Sequence, residues 1–273
     1  MTEAADFDRR FGGLRRLYGE SGARSIFNAH VMVVGVGGVG SWTAEALARS
    51  GVGRLTLVDF DHISESNINR QVHALTDTLG RSKIDALAHR IAQINPDCEV
   101  DLVDDFLTPE NGPGLLARLQ AGAPQPVGLV DACDQAQAKT WMAAQAMAGS
   151  WIHVMVGAAG GKRKAHAVDV ADLTAVTHDP LLAGVRQRLR KSHGLRRTGE
   201  SGLACVFSRE PVSRPTLNVD TCSTGLAPTA AVPGGAPINC AGYGSSVAVT
   251  AAFGFVAAGH VLERLAIWGE SHC

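Results

Sequence analysis

Six cysteines stand among the 273 residues and no two form a Cys-x-x-Cys pair, which argues against a zinc ribbon; no zinc is expected. An opening of positive charge followed by an apolar run is also missing. Residues 1–10 are polar and mixed in charge, so no export signal is expected and the cysteines read as reduced thiols of a cytoplasmic protein. The chain carries no surplus of charge, its formal net charge being −1, so any nucleic-acid binding must come from a local patch. The remaining composition, 45% hydrophobic and 19% charged, is ordinary for a globular α/β protein long enough to bury a sizeable core. One domain over 1–273 is the simplest count.

What is there begins at residues 31–40, VMVVGVGGVG. The run 31–34 reads as a buried strand, and Gly35, Gly37 and Gly40 form a Gly-x-Gly-x-x-Gly that lets the backbone turn tightly beside a phosphate. The following helix, from Ser41, would offer its unpaired N–H groups to that phosphate. Asp59 closes the next strand, LTLVD, about twenty residues beyond Gly40, where this fold places an acceptor for ribose hydroxyls. Alone, these features allow a nicotinamide dehydrogenase. Hydride transfer, however, has no need of the Asp61, Asn67, Asn69, Arg70, Gln71 and Lys83 that follow. Two cations near a phosphate-binding helix suit a triphosphate, whose leaving pyrophosphate they neutralise. Further on, 129–134 reads LVDACD, an apolar strand ending in carboxylates, a place from which magnesium is readily held.

Apolar runs and helical periodicity predict a helical region over 7–25, strands at 31–34, 55–58, 99–103, 127–130 and 151–156, and helices at 41–50, 83–94, near 114–120 and at 139–148. That alternation predicts an α/β fold: a Rossmann-like, doubly wound, mostly parallel sheet with helices on both faces and an embellished C-terminal half. Beyond 156 the regularity fades, and 211–237, rich in Pro, Gly, Ser and Thr, reads as a long crossing loop.

The series Gly35-x-Gly37-Gly38-x-Gly40, Asp59-x-Asp61, Asn67-x-Asn69-Arg70-Gln71, Lys83 and Asp131-x-x-Asp134 resembles the adenylating domain of the ubiquitin-activating superfamily, which includes the ThiF and MoeB sulfur-carrier activating enzymes. Within it, Arg10-Phe11-Gly12-Gly13, Leu17-Tyr18-Gly19, 69–75 NRQVHAL, 93–96 QINP, 205–208 CVFS, 239–241 NCA and 253–256 FGFV resemble the tRNA threonylcarbamoyladenosine dehydratases, so that the likeness covers most of the chain. The resemblance implies ATP and Mg2+ as cofactors, with Asp59 on the ribose, Asn67, Arg70 and Lys83 on the phosphates, and Asp134 on magnesium. It also implies a homodimer, with 1–28 as a helical lead-in, 29–160 as the ATP-binding core and 161–273 as the substrate- and tRNA-binding and dimerisation portion. In the sulfur-carrier relatives an arginine near the amino terminus reaches into the partner's site. Alignment on Arg10-Phe11 puts Gly13 there, leaving Arg10, Arg15 or Arg16 to serve from a neighbouring register.

Three features remain open. Residues 185–197, VRQRLRKSHGLRR, hold six cations and no acid, and Lys162-Arg163-Lys164 adds a second cluster. On one helix Arg186, Arg190 and Arg197 would share a face; with Lys191 and Arg196 they make either a surface for RNA phosphates or a merely solvated basic helix. No aromatic is interleaved, so the contact would be to backbone and shape. Cys240, in a Gly-rich turn before a helix, is either a nucleophile for an acyl intermediate or for sulfur exchange with a sulfur-transfer partner, or a small buried thiol. His73 is a candidate substrate contact or a hydrogen-bonded structural residue. The helix over 245–262 has no charge and borders on the length that crosses a bilayer; a core or dimer-interface helix is the favoured reading over weak membrane association.

The function expected is ATP-dependent cyclisation of threonylcarbamoyladenosine in tRNA beside the anticodon, through adenylation of its carboxylate. The rival is adenylation of the C-terminal glycine of a small ubiquitin-like sulfur carrier. A non-catalytic nucleotide-sensing scaffold is a third reading.

Overall fold

The structure is a computed structural model that describes residues 6–121, 126–149, 151–213 and 243–271. In chain order its strands are β1 (His30–Val34), β2 (Arg54–Val58), β3 (Glu99–Val103), β4 (Val127–Asp131), β5 (Ile152–Val156), β6 (Val168–Asp172) and β7 (Ala204–Ser208). Its helices are α1 (Phe7–Phe27), α2 (Gly40–Arg49), α3 (Lys83–Ile94), α4 (Gly112–Gln120), α5 (Ala136–Ala148), α6 (Pro180–Ser192) and α7 (Val247–Ser271). The strands form one sheet in the order β3-β2-β1-β4-β5-β7-β6, parallel except for β6, which runs against β7.

Every residue of β1 is buried because the sheet is covered on both faces. Its alternate side chains serve two cores. Val31 and Val33 join the layer under α2, α3 and α7, while Met32 and Val34 join the layer under α4 and α5. A third cluster, built from Ala143, Met155, Leu182, Val185, Leu189 and Phe207, fixes α6 beneath β7.

Three features depart from the sequence pattern: α7 is longer than expected, and the strands β7 and β6 are not among those expected. α7 runs on to Ser271 rather than stopping near 262, because Glu263 and Arg264 lie on its exposed side. Among the described residues it is the one helix long and apolar enough to cross a membrane, and 44% of its apolar window is buried inside the protein. Phe253, Ala257, Val261 and Leu265 pack against α1, α2 and the sheet, so the apolar side is used by the core. β6 was not foreseen. Its residues are all half-buried and mixed in polarity, so neither period stands out. The expected crossing loop at 211–237 lies mostly outside the described residues. The described residues on either side of 214–242 meet at Gly161, whose carbonyl accepts from Ser213 N–H (2.8 Å) and whose N–H donates to the Gly244 carbonyl (2.9 Å).

Candidate nucleotide-binding site

From β1 the chain winds one way to β2 and β3 and the other way to β4 and β5, and the crevice at the carboxyl ends of such strands is where open α/β sheets bind ligands. A cleft of about 560 Å³ opens there, a size suited to a small-molecule ligand. Gly35 leaves β1 with φ +83°, and a Cβ on it would press on the Cys133 backbone at 2.9 Å. Gly40 is needed for space of another kind: a Cβ there would overlap the Gly35 carbonyl oxygen. Gly35, Gly37 and Gly38 line the cleft, whereas Gly40, expected among the ligand contacts, closes the turn behind them. No side chain caps the amino end of α2; Ser41 N–H already donates to the Gly37 carbonyl (3.1 Å), so the part of this end that faces the cleft for an anion is the turn over 37–39.

Asp59 follows β2 and is fixed by two backbone donors: Val36 N–H to Oδ2 (2.8 Å) and Asp61 N–H to Oδ1 (2.9 Å). Burial raises the pKa of its carboxyl, opposed by Lys83 and by those two donors. Lys83 opens α3; its ammonium lies 2.6 Å from Asp61 Oδ2 and 4.0 Å from Asp59 Oδ1. Asn67 closes a short turn by accepting from Ser64 N–H (3.1 Å). The Arg70 guanidinium donates to the Ser66 carbonyl (2.6 Å) and to Asn69 Oδ1 (3.1 Å), and its stem lies over Gly38. Its own carbonyl accepts from Trp42 Nε1 (2.9 Å) and Thr250 Oγ1 (3.3 Å), which ties it to α2 and α7. Gln71 is buried on the cleft wall, and its Oε1 has no donor among the described residues. Asp59, Asp61, Asn67, Arg70, Gln71 and Lys83 thus share one side of one cleft with the glycine loop.

The two carboxylates after β4 part company. Asp131 is fully buried against Lys139 of α5, 2.8 Å away, and Cys133 Sγ donates to the same oxygen (3.2 Å). Burial and the Asp131 charge push the Cys133 thiol well above its ordinary pKa, so it stands on the cleft wall as an unreactive thiol. Asp134 lines the cleft.

The sequence did not point to Asp105, Phe106 and Leu107 after β3, to Gly157–Gly160 after β5, or to Leu181, Ser245 and Thr250, all of which line the cleft. The rule that ligands sit outside the carboxyl ends of neighbouring strands would have directed attention to the first two loops. Cys240 lies outside the described residues. His73 lies off the cleft, 2% exposed, with both ring nitrogens unpartnered among the described residues; burial, then Lys83 and Arg90, holds its pKa down to about 4.

The basic segment needs correction. α6 ends at Ser192, so Arg196 and Arg197 are not on the helix that carries Arg186 and Arg190. Arg186 is turned inward and donates to the carbonyls of Leu173 (2.9 Å) and Val176 (3.0 Å). Lys162, also expected to face RNA, is 3% exposed and donates to the carbonyls of His178 and Glu210. Arg190 is half-buried and donates to the Arg197 carbonyl at 3.4 Å. Arg163, Lys164, Arg188, Lys191, Arg196 and Arg197 are exposed. At the amino end, Arg10 caps α3 through the Ile94 carbonyl (2.7 Å), and Arg15 pairs with Asp8 and Glu20, whereas Arg16 is exposed.

Residues 9–272 match the ThiF family. The chain is 41% identical over 260 residues to the tRNA threonylcarbamoyladenosine dehydratase of Escherichia coli K12, covering 94% of this chain and 93% of that one. Two crystal structures of the E. coli enzyme, TcdA, superpose with a TM-score of 0.81. The complex with AMP is 36% identical with full coverage of both chains, and the complex with ATP is 37% identical over 97% of each.

Proposed function

The chain belongs to the ThiF family, and from that premise we propose that it is an ATP-dependent tRNA threonylcarbamoyladenosine dehydratase. It adenylates the carboxylate of threonylcarbamoyladenosine beside the anticodon and closes the modification into a ring with loss of water. The observation that carries this reading is the reach of the likeness, which spans the nucleotide cleft and the C-terminal half alike.

A carboxylate is a poor electrophile; its mixed anhydride with AMP has a good leaving group. The ribose of ATP rests on Asp59, whose carboxylate is already aimed by Val36 N–H and Asp61 N–H. The phosphates lie on the uncapped amino end of α2, where Arg70 and Lys83 neutralise charge that builds on the departing pyrophosphate. The substrate carboxylate oxygen attacks the α-phosphorus, pyrophosphate leaves, and a nitrogen of the same threonylcarbamoyl group then attacks the activated carbonyl and expels AMP. That attack is intramolecular, so positioning supplies most of what it needs.

Magnesium fits the donors present. It takes one or two carboxylates with phosphate oxygens and waters, and of the two carboxylates after β4 Asp131 is sealed against Lys139 while Asp134 lines the cleft. Asp134 would hold the ion, which would supply shielding of phosphate charge. The RNA lies across Arg163, Lys164, Lys191, Arg196 and Arg197, all exposed, with Arg190 supporting Arg197. Residues 29–160 form the ATP-binding core and 161–273 the RNA-binding and dimerisation portion. Exposed Phe255 against Trp42 supplies an apolar surface for a homodimer. The setting is cytoplasmic, which suits the free thiols of Cys98, Cys133 and Cys205.

The test is mass spectrometry of nucleosides from tRNA bearing threonylcarbamoyladenosine, after incubation with protein, ATP and magnesium, beside an Arg70→Ala control. Loss of one water that depends on ATP and on Arg70 is the expected result. An unchanged nucleoside, together with ATP–pyrophosphate exchange on a small sulfur-carrier protein, would overturn the reading in favour of carrier activation.

A further inference from the structure

Behind the wall of the cleft opposite Asp59 lie three charged side chains that the chemistry above does not use. Lys162 places its ammonium between the carbonyls of His178 (2.9 Å) and Glu210. Asp179 is 4% exposed and divides its carboxylate: Oδ1 caps α6 by accepting from Leu182 N–H (2.9 Å), and Oδ2 accepts from Ala158 N–H (2.8 Å). Glu210 accepts from the N–H groups of Arg163 and Lys164, both at 2.8 Å. None of the three lines the cleft.

Together they join three segments distant in sequence: the exit from β5, the amino end of α6 and the end of β7. The wall they back is Gly157–Gly160, which does line the cleft. Gly157 presses so closely on the clamp that a Cβ would overlap Asp179 Oδ2. Burial pushes the Asp179 carboxyl up and the Lys162 ammonium down in pKa, each shift opposed by the other's charge. Buried charges cost more than aliphatic filler. What they give in return is direction, because fixed donors and acceptors define where a backbone segment sits.

Which reactant this wall serves follows from its place. A nucleotide with its ribose on Asp59 and its phosphates on α2 occupies the side of the cleft beneath β1 to β3. The side beneath β5 is left for the group that attacks it. The same wall leads straight into Arg163 and Lys164, whose backbone Glu210 holds and whose side chains are exposed, so an RNA bound there enters the cleft across Gly157–Gly160.

We propose that Lys162, Asp179 and Glu210 are positioning residues for the RNA reactant: they set the Gly157–Gly160 wall that seats the carboxylate for attack, and they leave ATP affinity untouched. This rests on the adenylation reading above. Two variants separate the roles. Asp179→Ser keeps a good helix cap but is too short to reach Ala158, and Lys162→Met keeps the side-chain length without the donors. Each folded variant, checked by its melting temperature, is expected to lose about tenfold to a hundredfold in kcat/KM for tRNA while the ATP Kd stays within about twofold. Unchanged tRNA kinetics, or ATP affinity falling in step, would sink the proposal.

Should neither variant fold, hydrogen–deuterium exchange on the wild-type protein decides. Amides of 157–161 are expected to gain protection when the modified tRNA is added and not when ATP alone is added; the reverse overturns the proposal. Because that readout does not need turnover, wild-type protein that protects 157–161 yet makes no cyclised nucleoside counts against the dehydratase reading and not against the clamp.

Discussion

Beneath β1 to β3 the polar residues that a short stretch of sequence brings together, Asp59, Asp61, Asn67, Arg70 and Lys83, line the cleft, whereas beyond β5 the charges divide, Lys162, Asp179 and Arg186 turning inward while Arg163, Lys164, Lys191, Arg196 and Arg197 stay exposed. Lys162, Asp179 and Arg186 sit under the surface and hold backbone carbonyls and N–H groups. The contrast teaches that the density of charge along a sequence reports function only where the backbone geometry around it is already fixed. In the first region a tight glycine turn and a strand end leave each side chain one direction to point. In the second, irregular connections have many backbone groups to satisfy, and the long cationic side chains are drawn in to satisfy them.

The sharpest break in this contrast should come at Lys139 of α5, which lies between the two regions and is as deeply buried as any charge beyond β5. Lys139→Met leaves Asp131 buried without its counter-charge, and urea unfolding should register a loss of about 3–5 kcal/mol. Nearly as large should be Lys83→Met, read as rate rather than stability. Its main partner Asp61 is exposed, so the fold should hold, while single-turnover AMP formation falls about 10²- to 10³-fold. If Lys83→Met instead unfolds the protein, the two regions use their cations alike.

A smaller effect concerns His153 on β5, whose ring nitrogens are unpartnered among the described residues and whose pKa is held down to about 3 by burial, then by Lys139. A group with a depressed folded pKa loses protons on folding, so its contribution is present above the unfolded value of about 6.5 and fades as pH falls toward the folded value. Between about pH 7 and pH 5 the wild type should therefore lose about 2 kcal/mol more stability than His153→Leu, measured by denaturant unfolding at both pH values. Equal losses would show that burial does not set the histidine's charge. The smallest effect should separate outward from inward cations. Lys191→Ala and Arg197→Ala should each lower the salt-dependence slope of tRNA binding by about 1, whereas Arg186→Ala should leave the slope alone and lower the melting temperature.

Much of the nucleotide side was legible in advance because its signals are local. The continuous burial of β1, the Gly35 turn and the acid closing β2 are all dictated by residues adjacent in sequence. Lys83 begins α3 where the periodicity places it. A phosphate-binding loop and the turn that supports it ask for the same residue, and only the carbonyl of Gly35 shows that Gly40 serves the turn. By position along the chain Asp131 and Asp134 both end an apolar strand, and only the family resemblance singled out the second; Lys139, one turn into α5, claims the first. The far side was opaque for a different reason. β6 is an antiparallel edge strand with no continuous apolar run, and the partners of Lys162 lie at His178 and Glu210, which no spacing rule connects.

The hydrogen bonds that Gly161 makes to Ser213 and Gly244 have an evolutionary consequence. They hold two segments distant from it in sequence, at 213 and 244, to a single residue, so a substitution at Gly161 loosens both at once and the position is constrained from two sides. Related sequences should therefore keep glycine at this position, whose φ is +72°.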